Sequence, residues 1–129
     1  MKILLDTQCW LWLNTAPKRI SGRLREQLER PETERFLSAA SAWEIAIKFA
    51  LGKLPLPEAP ATYVPRRLRD TRTTVIAISD RHALHVAELP PHHRDPFDRL
   101  IIAQAQIERL QIVTADPQFD AYEIDVIAP

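Results

Sequence analysis

The sequence predicts one α/β domain, spanning residues 1–129, with a mostly parallel central sheet. Two observations lead to this fold class. Short apolar or β-branched runs alternate along the chain with longer segments of helical periodicity, an alternation typical of parallel β-α units. The length of 129 residues, with 46% hydrophobic content, suits one domain with a single well-buried core.

The predicted strands are short and are separated by helical or turn segments. The first is the apolar run after the initiating Met, and it ends where Asp6 interrupts it. The run TTVIAI is rich in β-branched residues, which favour strands. The complete set of strand predictions is Lys2–Leu5, Arg35–Ala39, Thr73–Ile78, Gln111–Thr114 and Tyr122–Ile127.

The predicted helices are bounded by residues that start or stop helices. Ser79 is an N-cap candidate, and Asp95 followed by Pro96 is the strongest helix start in the chain. Gly52 follows the helix that contains Trp43 and is its expected stop. The helices are expected over residues 8–14, 21–30, 41–51, about 60–71, 79–89 and 95–110.

Composition excludes several classes of site. The chain has only two glycines, Gly22 and Gly52, so no glycine-rich phosphate-binding loop can be built. Cys9 is the sole cysteine, which leaves neither an internal disulfide nor a cysteine-based zinc site and favours a reducing, cytoplasmic location. The formal net charge is zero, whereas proteins that bind nucleic acid mainly by electrostatics are usually strongly basic. The charge balance therefore argues against that class. The first apolar stretch is too short for a signal peptide or a membrane span.

Four acidic residues fall at the ends of predicted elements. Asp6 and Asp116 follow strands, while Glu44 and Asp98 fall in the first turns of predicted helices. In parallel sheets, ligands bind at the carboxyl ends of the strands, and the helix starts face the same edge. The four side chains are therefore expected to converge.

Each acid also has a structural interpretation. Ser41 and Glu44 have the spacing of a capping box. If Asp95 caps its helix, Asp98 lies at a position that favours the helix dipole. Asp116 before a proline is typical of a turn. Asp6 is the hardest to explain structurally, because a carboxylate that ends a buried strand needs a cation or hydrogen-bond donors.

Together, four converging carboxylates repel one another unless a cation neutralises them. Oxygen-only ligands suit Mg²⁺ or Mn²⁺, so the pattern predicts a divalent metal site. Asp6 and Asp98 are the expected direct ligands, with Glu44 and Asp116 completing the shell or orienting a water molecule.

Four phrases of the chain also resemble a known family in their order and spacing. They are LLDT at 4–7, SAASAWEIAIKFALGKL at 38–54, HRDPFDRLIIAQA at 93–105 and VTADPQF at 113–119. These phrases are similar to the motifs of PIN-domain ribonucleases of the VapC group, the toxins of VapBC toxin–antitoxin systems. The resemblance covers nearly the whole chain, and residues 55–74 are its least distinctive part.

The resemblance implies a three-layer α/β/α sandwich and an Mg²⁺- or Mn²⁺-dependent endoribonuclease. It places Asp6, Glu44, Asp98 and Asp116 at the family's four acidic positions, with Thr7 and Thr114 as nearby hydroxyls. It further implies an RNA substrate, a homodimer and a VapB-type antitoxin partner, with any contact to DNA made through the antitoxin. Asp95 is expected to be a helix cap, and His93 is given no catalytic role.

Other residues have weaker functional interpretations. Arg99 and Lys48 are candidates for pairing with an acid or an RNA phosphate, and the basic stretch Arg66–Arg72 is a candidate RNA-tracking surface. A dense apolar patch is expected to serve either the core or a partner interface. It comprises Trp10, Leu11, Trp12, Leu13, Trp43 and Phe49.

Two alternatives to a metal nuclease remain open at the level of sequence. One is phosphoryl transfer through Asp6, but such sites use paired acids near the first strand, and here Thr7, Gln8 and Cys9 follow. The other is a catalytically silent PIN-like module that binds RNA or protein. The four intact acids argue against it.

Overall fold

The computed structural model describes all residues from Met1 to Pro129. It contains five strands and six α-helices, joined in places by 3₁₀ turns. The strands are β1 (Lys2–Leu5), β2 (Glu34–Ser38), β3 (Thr73–Ile76), β4 (Gln111–Val113) and β5 (Val126–Ile127). The helices are α1 (Thr7–Thr15), α2 (Gly22–Glu29), α3 (Ala39–Ala50), α4 (Pro60–Asp70), α5 (Asp80–His85) and α6 (Pro96–Glu108).

The strands form one sheet in the order β3-β2-β1-β4-β5, and every neighbouring pair is parallel. The predicted α/β class with a central parallel sheet is confirmed. The chain first extends the sheet from β1 toward β3, then returns to the other side of β1 for β4. The strand order thus reverses between β1 and β4, the place where open parallel sheets form a ligand crevice.

Helices cover both faces of the sheet, because successive apolar side chains of β1 point to opposite faces and each face must be buried. Ile3 and Leu5 pack into one apolar cluster with side chains of α1 and α2, including Trp10. Leu4 points the other way and packs with residues of α6, including Ile102. Because each face buries its own cluster, the domain has the three layers of an α/β/α sandwich.

Most helix boundaries follow local capping chemistry. The side chains of Ser21 and Ser79 accept hydrogen bonds from backbone N–H groups at the starts of α2 and α5. Asp95 Oδ1 accepts from the amides of Phe97 and Asp98, which confirms that Asp95 is the cap of α6. No glycine ends α6; its last turn is closed by Arg109 in the left-handed conformation, with φ 56°.

The last strand is shorter than predicted. Residues upstream of Val126 form a 3₁₀ turn and an irregular segment instead, in which Phe119 and Tyr122 pack into the α6-side core. The Tyr122 hydroxyl donates to the carbonyl of Pro90 at 2.9 Å. Tertiary packing of these aromatic side chains therefore overrides the strand tendency of the run from Tyr122.

The predicted apolar patch divides between the core and the surface. Trp10 and Leu11 are buried, and Trp12 and Leu13 pack against the same core from partly buried positions. Trp43 differs, because its side chain is 60% exposed and meets the ring of Phe97 edge-on at 5.2 Å. No helix of the domain is both long and apolar enough to cross a lipid bilayer.

Candidate active site

A cavity of about 600 Å³ opens at the carboxyl-terminal edge of the sheet, beside the reversal of strand order. It brings together acidic residues that are up to 110 positions apart in the sequence. All four predicted site residues line it, together with the cap of α6 and two lysines: Asp6, Glu44, Lys48, Lys53, Asp95, Asp98 and Asp116.

Asp6 ends β1 and caps α1, which fixes its carboxylate at the edge of the sheet. Its Oδ1 accepts from the Cys9 amide at 2.7 Å, and its Oδ2 accepts from the Thr114 hydroxyl at 2.6 Å. Burial raises the pKa of Asp6, the bonds to Thr114 and Cys9 oppose that rise, and the charge of Glu44 adds to it. The carboxylate of Asp6 is thus held by the donors of Cys9 and Thr114 and lies near the charge of Glu44.

Glu44 does not take part in the capping box expected from the sequence. Helix α3 starts earlier, and Ser38 is its N-cap, accepting from the Ala40 amide at 3.0 Å. Glu44 therefore lies in the second turn, and the capping interpretation of this residue was wrong. Ser41 instead accepts a hydrogen bond from the Thr7 hydroxyl at 2.8 Å, which joins α3 to α1 beside the cavity.

The two carboxylate oxygens of Glu44 have different surroundings. Lys48 Nζ lies 2.6 Å from Oε2, so the helix salt bridge is the role that the structure gives Lys48. The hydrogen bond to Glu44 raises the pKa of Lys48 above its usual value. The other oxygen, Oε1, is shielded from solvent and has no hydrogen-bond partner in the protein. A buried carboxylate oxygen without a donor is unfavourable unless something else binds it.

Asp98 lies in the first turn of α6 with its side chain 23% exposed. Burial is the main cause that raises its pKa, to about 7, and the negative charges of Asp95, Glu44 and Asp6 raise it further. His93, with its Nε2 3.1 Å from Asp98 Oδ2, acts in the opposite direction. The raised pKa of Asp98 is therefore that of a largely buried carboxyl group with other acids near it.

His93 connects two of the acids, a role that the sequence analysis did not assign. Its Nε2 lies 2.8 Å from Asp116 Oδ2 and 3.1 Å from Asp98 Oδ2, and the three residues form a group with metal-ligand chemistry. Its Nδ1 accepts from the Asp95 amide at 3.1 Å, so Nε2 carries the proton that both carboxylates share. His93 thus positions the acids. The signals in the sequence were its place two residues before the cap of α6 and its position as the first residue of the phrase at 93–105.

Asp116 follows β4 and caps the 3₁₀ turn over 117–121. Its Oδ1 accepts from the Gln118 amide at 2.9 Å, while its own amide donates to the Thr114 hydroxyl at 3.1 Å. Oδ1 of Asp116 therefore has the turn-starting role that the sequence also suggested for this residue. The other oxygen, Oδ2, faces His93 and Asp98.

Arg99 does not reach the acids, contrary to the suggestion from the sequence. Its guanidinium donates to the carbonyls of Val86, Leu89, Pro90 and His93 and lies 3.3 Å from the Tyr122 hydroxyl. Five donors on a planar group suit such a set of carbonyl acceptors. Arg99 therefore fixes the segment that carries His93 rather than contacting a ligand.

The arginines of the Arg66–Arg72 stretch are partly engaged within the protein. Arg66 forms an ion pair with Glu58. Arg67 Nε donates to Asn14 Oδ1 at 2.6 Å, and its NH1 lies 3.6 Å from Asp70. These contacts tie α4 to the rest of the domain and leave Arg69 and Arg72 as the exposed arginines of the stretch that form no ion pair within the protein.

The donor set of the cavity fits a hard divalent cation. It consists of carboxylate oxygens, one of which is buried without a partner in the protein. Burial, and to a lesser extent the neighbouring acids, raises the pKa of Asp98 in this set. Mg²⁺ and Mn²⁺ prefer such oxygen ligands. A cation there would supply the missing partner of Glu44 Oε1 and favour the ionised form of Asp98.

Comparison with known proteins agrees with this arrangement. The family model described as the PIN domain matches residues 3–124, which is nearly the whole chain and includes all four acids. The chain belongs to the PIN domain family. The membership predicted from its four sequence phrases is thereby confirmed.

This PIN domain also resembles individual proteins. A segment of 49 residues is 55% identical to Ribonuclease VapC16 from Mycobacterium tuberculosis (strain ATCC 25618 / H37Rv), and it covers 38% of the chain and 35% of that relative. VapBC2 from Rickettsia felis, bound to a DNA fragment from its promoter, superposes with a TM-score of 0.74 at 18% identity, over 99% of this chain and 98% of the other. DNA-bound VapBC from Salmonella typhimurium gives a TM-score of 0.73 at 20% identity over the same shares. At these identities the structural matches establish the fold.

Proposed function

We propose that this PIN domain, as a single unit over residues 1–129, is a metal-dependent endoribonuclease and the toxin of a VapBC-type toxin–antitoxin system in the cytoplasm. The relative with 55% identity over its matched segment is named a ribonuclease of the VapC type, which supports the assignment. The structural neighbours are VapBC complexes, which supports a VapB-type antitoxin as partner.

The observation that carries the proposal is the buried, unpartnered Oε1 of Glu44 in a cavity that also contains Asp6 and Asp98. Buried carboxylate oxygens in proteins usually have a hydrogen-bond donor, so one without a donor in a cavity lined by acids indicates a partner from outside the chain. The cavity therefore has the character of a cation site that the protein alone does not complete.

Asp6 and Asp98 would bind the cation directly, and Glu44 and Asp116 would complete its shell or act through water. The cation, Mg²⁺ or Mn²⁺, would lower the pKa of a bound water and neutralise charge on the phosphate. The chain's own part is orientation. Thr114 holds Asp6, and His93 holds Asp98 and Asp116. Lys48 binds Oε2 of Glu44, so Oε1 is the oxygen that Glu44 would offer to the cation.

The acids also set the protonation state of the site. With a pKa of about 7, Asp98 carries a proton in part of the metal-free molecules at neutral pH. Loading the site therefore requires that this proton leave, so occupancy is expected to rise with pH through the neutral range. Lys48 and Lys53 at the rim of the cavity place positive charge where an RNA phosphate would approach the acids.

The test is cleavage of RNA by the purified, antitoxin-free protein with Mg²⁺ or Mn²⁺. We expect cleavage that stops with EDTA and that falls at least about a hundredfold in Asp6→Asn and Asp98→Asn. Asp80→Asn is the matched control, because Asp80 is an exposed acid in the first turn of α5. If EDTA and both site variants leave cleavage unchanged, the mechanism is wrong. If the folded protein binds RNA but does not cut it even with Mg²⁺ or Mn²⁺ present, the silent binding module is the better description.

The partner assignment needs a separate test. Expression of the chain is expected to arrest growth, and coexpression of the adjacent VapB-type gene is expected to relieve the arrest. The exposed Trp43 and its neighbour Phe97 form an aromatic surface near the cavity that suits a homodimer contact. Light scattering of the wild type and of Trp43→Ser would show whether this surface supports the dimer.

A further inference from the structure

A second, smaller cavity of about 190 Å³ lies away from the acids, between α1, α2 and the sheet. Arg35, the second residue of β2, and Thr73, the first residue of β3, place it near the amino-terminal ends of those strands. The acids follow the carboxyl-terminal ends of β1 and β4. The two cavities therefore lie toward opposite edges of the sheet.

Three hydrogen-bond donors of this small cavity have no partner. Trp10 is fully buried, and its indole Nε1 donates to no acceptor in the protein. The Nε atoms of Arg25 and Arg35 are likewise shielded from solvent and unpartnered. The whole domain has five such buried side-chain atoms, and three of them belong to residues that line this cavity. All three are N–H donors, so the missing partner must be an acceptor.

Charge around the cavity points to the same kind of partner. Neither Arg25 nor Arg35 takes part in an ion pair within the protein. Burial lowers the pKa of Arg35, and the nearby positive charge of Arg72 lowers it further, while Glu29 opposes this change. Glu29 is the one acid that lines the cavity, so the two arginines exceed it by one positive charge. Both arginines are half-buried, and a guanidinium N–H that is shielded from solvent without an acceptor is unfavourable.

We propose that this cavity is a binding site for a small oxyanion of phosphate size, held by the Trp10 indole and the guanidinium groups of Arg25 and Arg35. A phosphate presents several acceptor oxygens in different directions, whereas a single water molecule accepts only two hydrogen bonds. Arginine guanidinium groups suit phosphate oxygens in geometry and charge. The ligand is either the free ion or the phosphate group of a nucleotide. The proposal is independent of the nuclease assignment.

The three tryptophans of the chain make the proposal directly testable. The ¹H–¹⁵N spectrum of the full chain shows one indole signal for each, and Trp10→Phe identifies the signal of Trp10. We expect inorganic phosphate, added to protein in a phosphate-free buffer, to shift the Trp10 signal saturably while those of Trp12 and Trp43 stay in place. Chloride at matched ionic strength is expected to have no such effect. If phosphate moves no indole signal, moves all three equally, or acts no differently from chloride, the proposal is overturned.

Variants of the arginines test the same contacts. Arg25→Gln and Arg35→Gln are expected to weaken phosphate binding at least about tenfold, because each removes a charged hydrogen bond. Arg23→Gln, which changes an exposed arginine of the same helix, is the matched control and is expected to bind as the wild type does. Equal binding by all three folded variants overturns the proposal. If the arginine variants do not fold, the wild-type titration decides.

A parallel titration with adenosine 5′-monophosphate distinguishes the two sources: a shift of the Trp10 signal supports a nucleotide phosphate, and a response to inorganic phosphate alone supports the free ion.

Discussion

The Thr114 hydroxyl donates a 2.6 Å hydrogen bond to Asp6 Oδ2, and this bond joins the ends of β4 and β1 where the strand order reverses. The same hydroxyl accepts from the Asp116 amide at 3.1 Å. One buried side chain therefore fixes two of the four acids. Asp6 would otherwise present a desolvated carboxylate oxygen without a donor.

Replacing Thr114 by Val is expected to destabilise the domain by about 2 kcal/mol, the order expected when a buried charged acceptor loses its donor. It should also weaken Mn²⁺ binding, because Asp6 is no longer held in place. Urea denaturation and calorimetric titration measure the two effects. Thr114→Ser, which keeps the hydroxyl, is the control. Equal loss in both variants would show that the methyl group matters and the bond to Asp6 does not.

Asp98 is expected to make the metal-free domain less stable as the pH rises. Its pKa is about 7 in the folded protein against 3.8 ordinarily, so the folded state binds more protons than the unfolded state between these values. The contribution of Asp98 to stability is therefore greatest at or below about pH 4, and it is lost as the pH rises through about 7.

Asp98→Asn removes that dependence and is therefore expected to exceed the wild type in stability at pH 8. We expect a difference of about 1–3 kcal/mol, less than the full shift implies, because the side chain is partly solvated. The difference should narrow toward pH 5. Urea denaturation in EDTA at the two pH values measures it, and a gap of the same size at both would refute the assignment of the shift to Asp98.

His93 is expected to act by positioning Asp98 and Asp116. His93→Ala should lower the affinity for Mn²⁺ by about 10–100-fold, as the loss of groups that orient metal ligands commonly does. It should also move the pH dependence of binding upward, because His93 beside Asp98 lowers the pKa of that carboxyl group. His92→Ala is the control, since His92 is exposed and contacts the Tyr122 ring. A purely structural role would reduce stability without moving the pH profile.

Cys9 is expected to be unreactive in the native protein. It is fully buried, and burial together with the charge of Asp6 raises the pKa of its thiol above the ordinary value. Only the thiolate reacts readily with alkylating agents. Iodoacetamide at pH 8.5 should therefore label the protein in denaturant and leave it unlabelled without. Rapid labelling of the folded chain would contradict the buried position of Cys9.

Much of the fold was predictable because its signals are local. The run ending at Asp6 and the Asp95-Pro96 helix start depend on neighbouring residues, and both elements begin or end as predicted. The acids were expected to converge if the strands before Asp6 and Asp116 are parallel neighbours, and the pairing of β1 with β4 meets that condition. The start of α3 was harder, because Ser38 and Ser41 are both capping residues and the choice depends on where β2 ends.

The roles of His93 and Trp10 could not be derived in the same way. His93 contacts Asp116 across 23 residues, and nothing near it in sequence marks that contact. Trp10 lies in a helix of mixed apolar character, so its burial depends on α2 and the sheet that pack over it. Long-range packing decides both, and periodicity carries no information about it.

The position of β4 has a consequence for the timing of synthesis. This strand inserts between β1 and β5, and it brings Thr114 to a residue 108 positions earlier in the chain. While a ribosome still holds residues 111–127, Asp6 and Glu44 have no Thr114 or Asp116 beside them. The acidic cavity therefore forms only after residues 111–127 have left the ribosome.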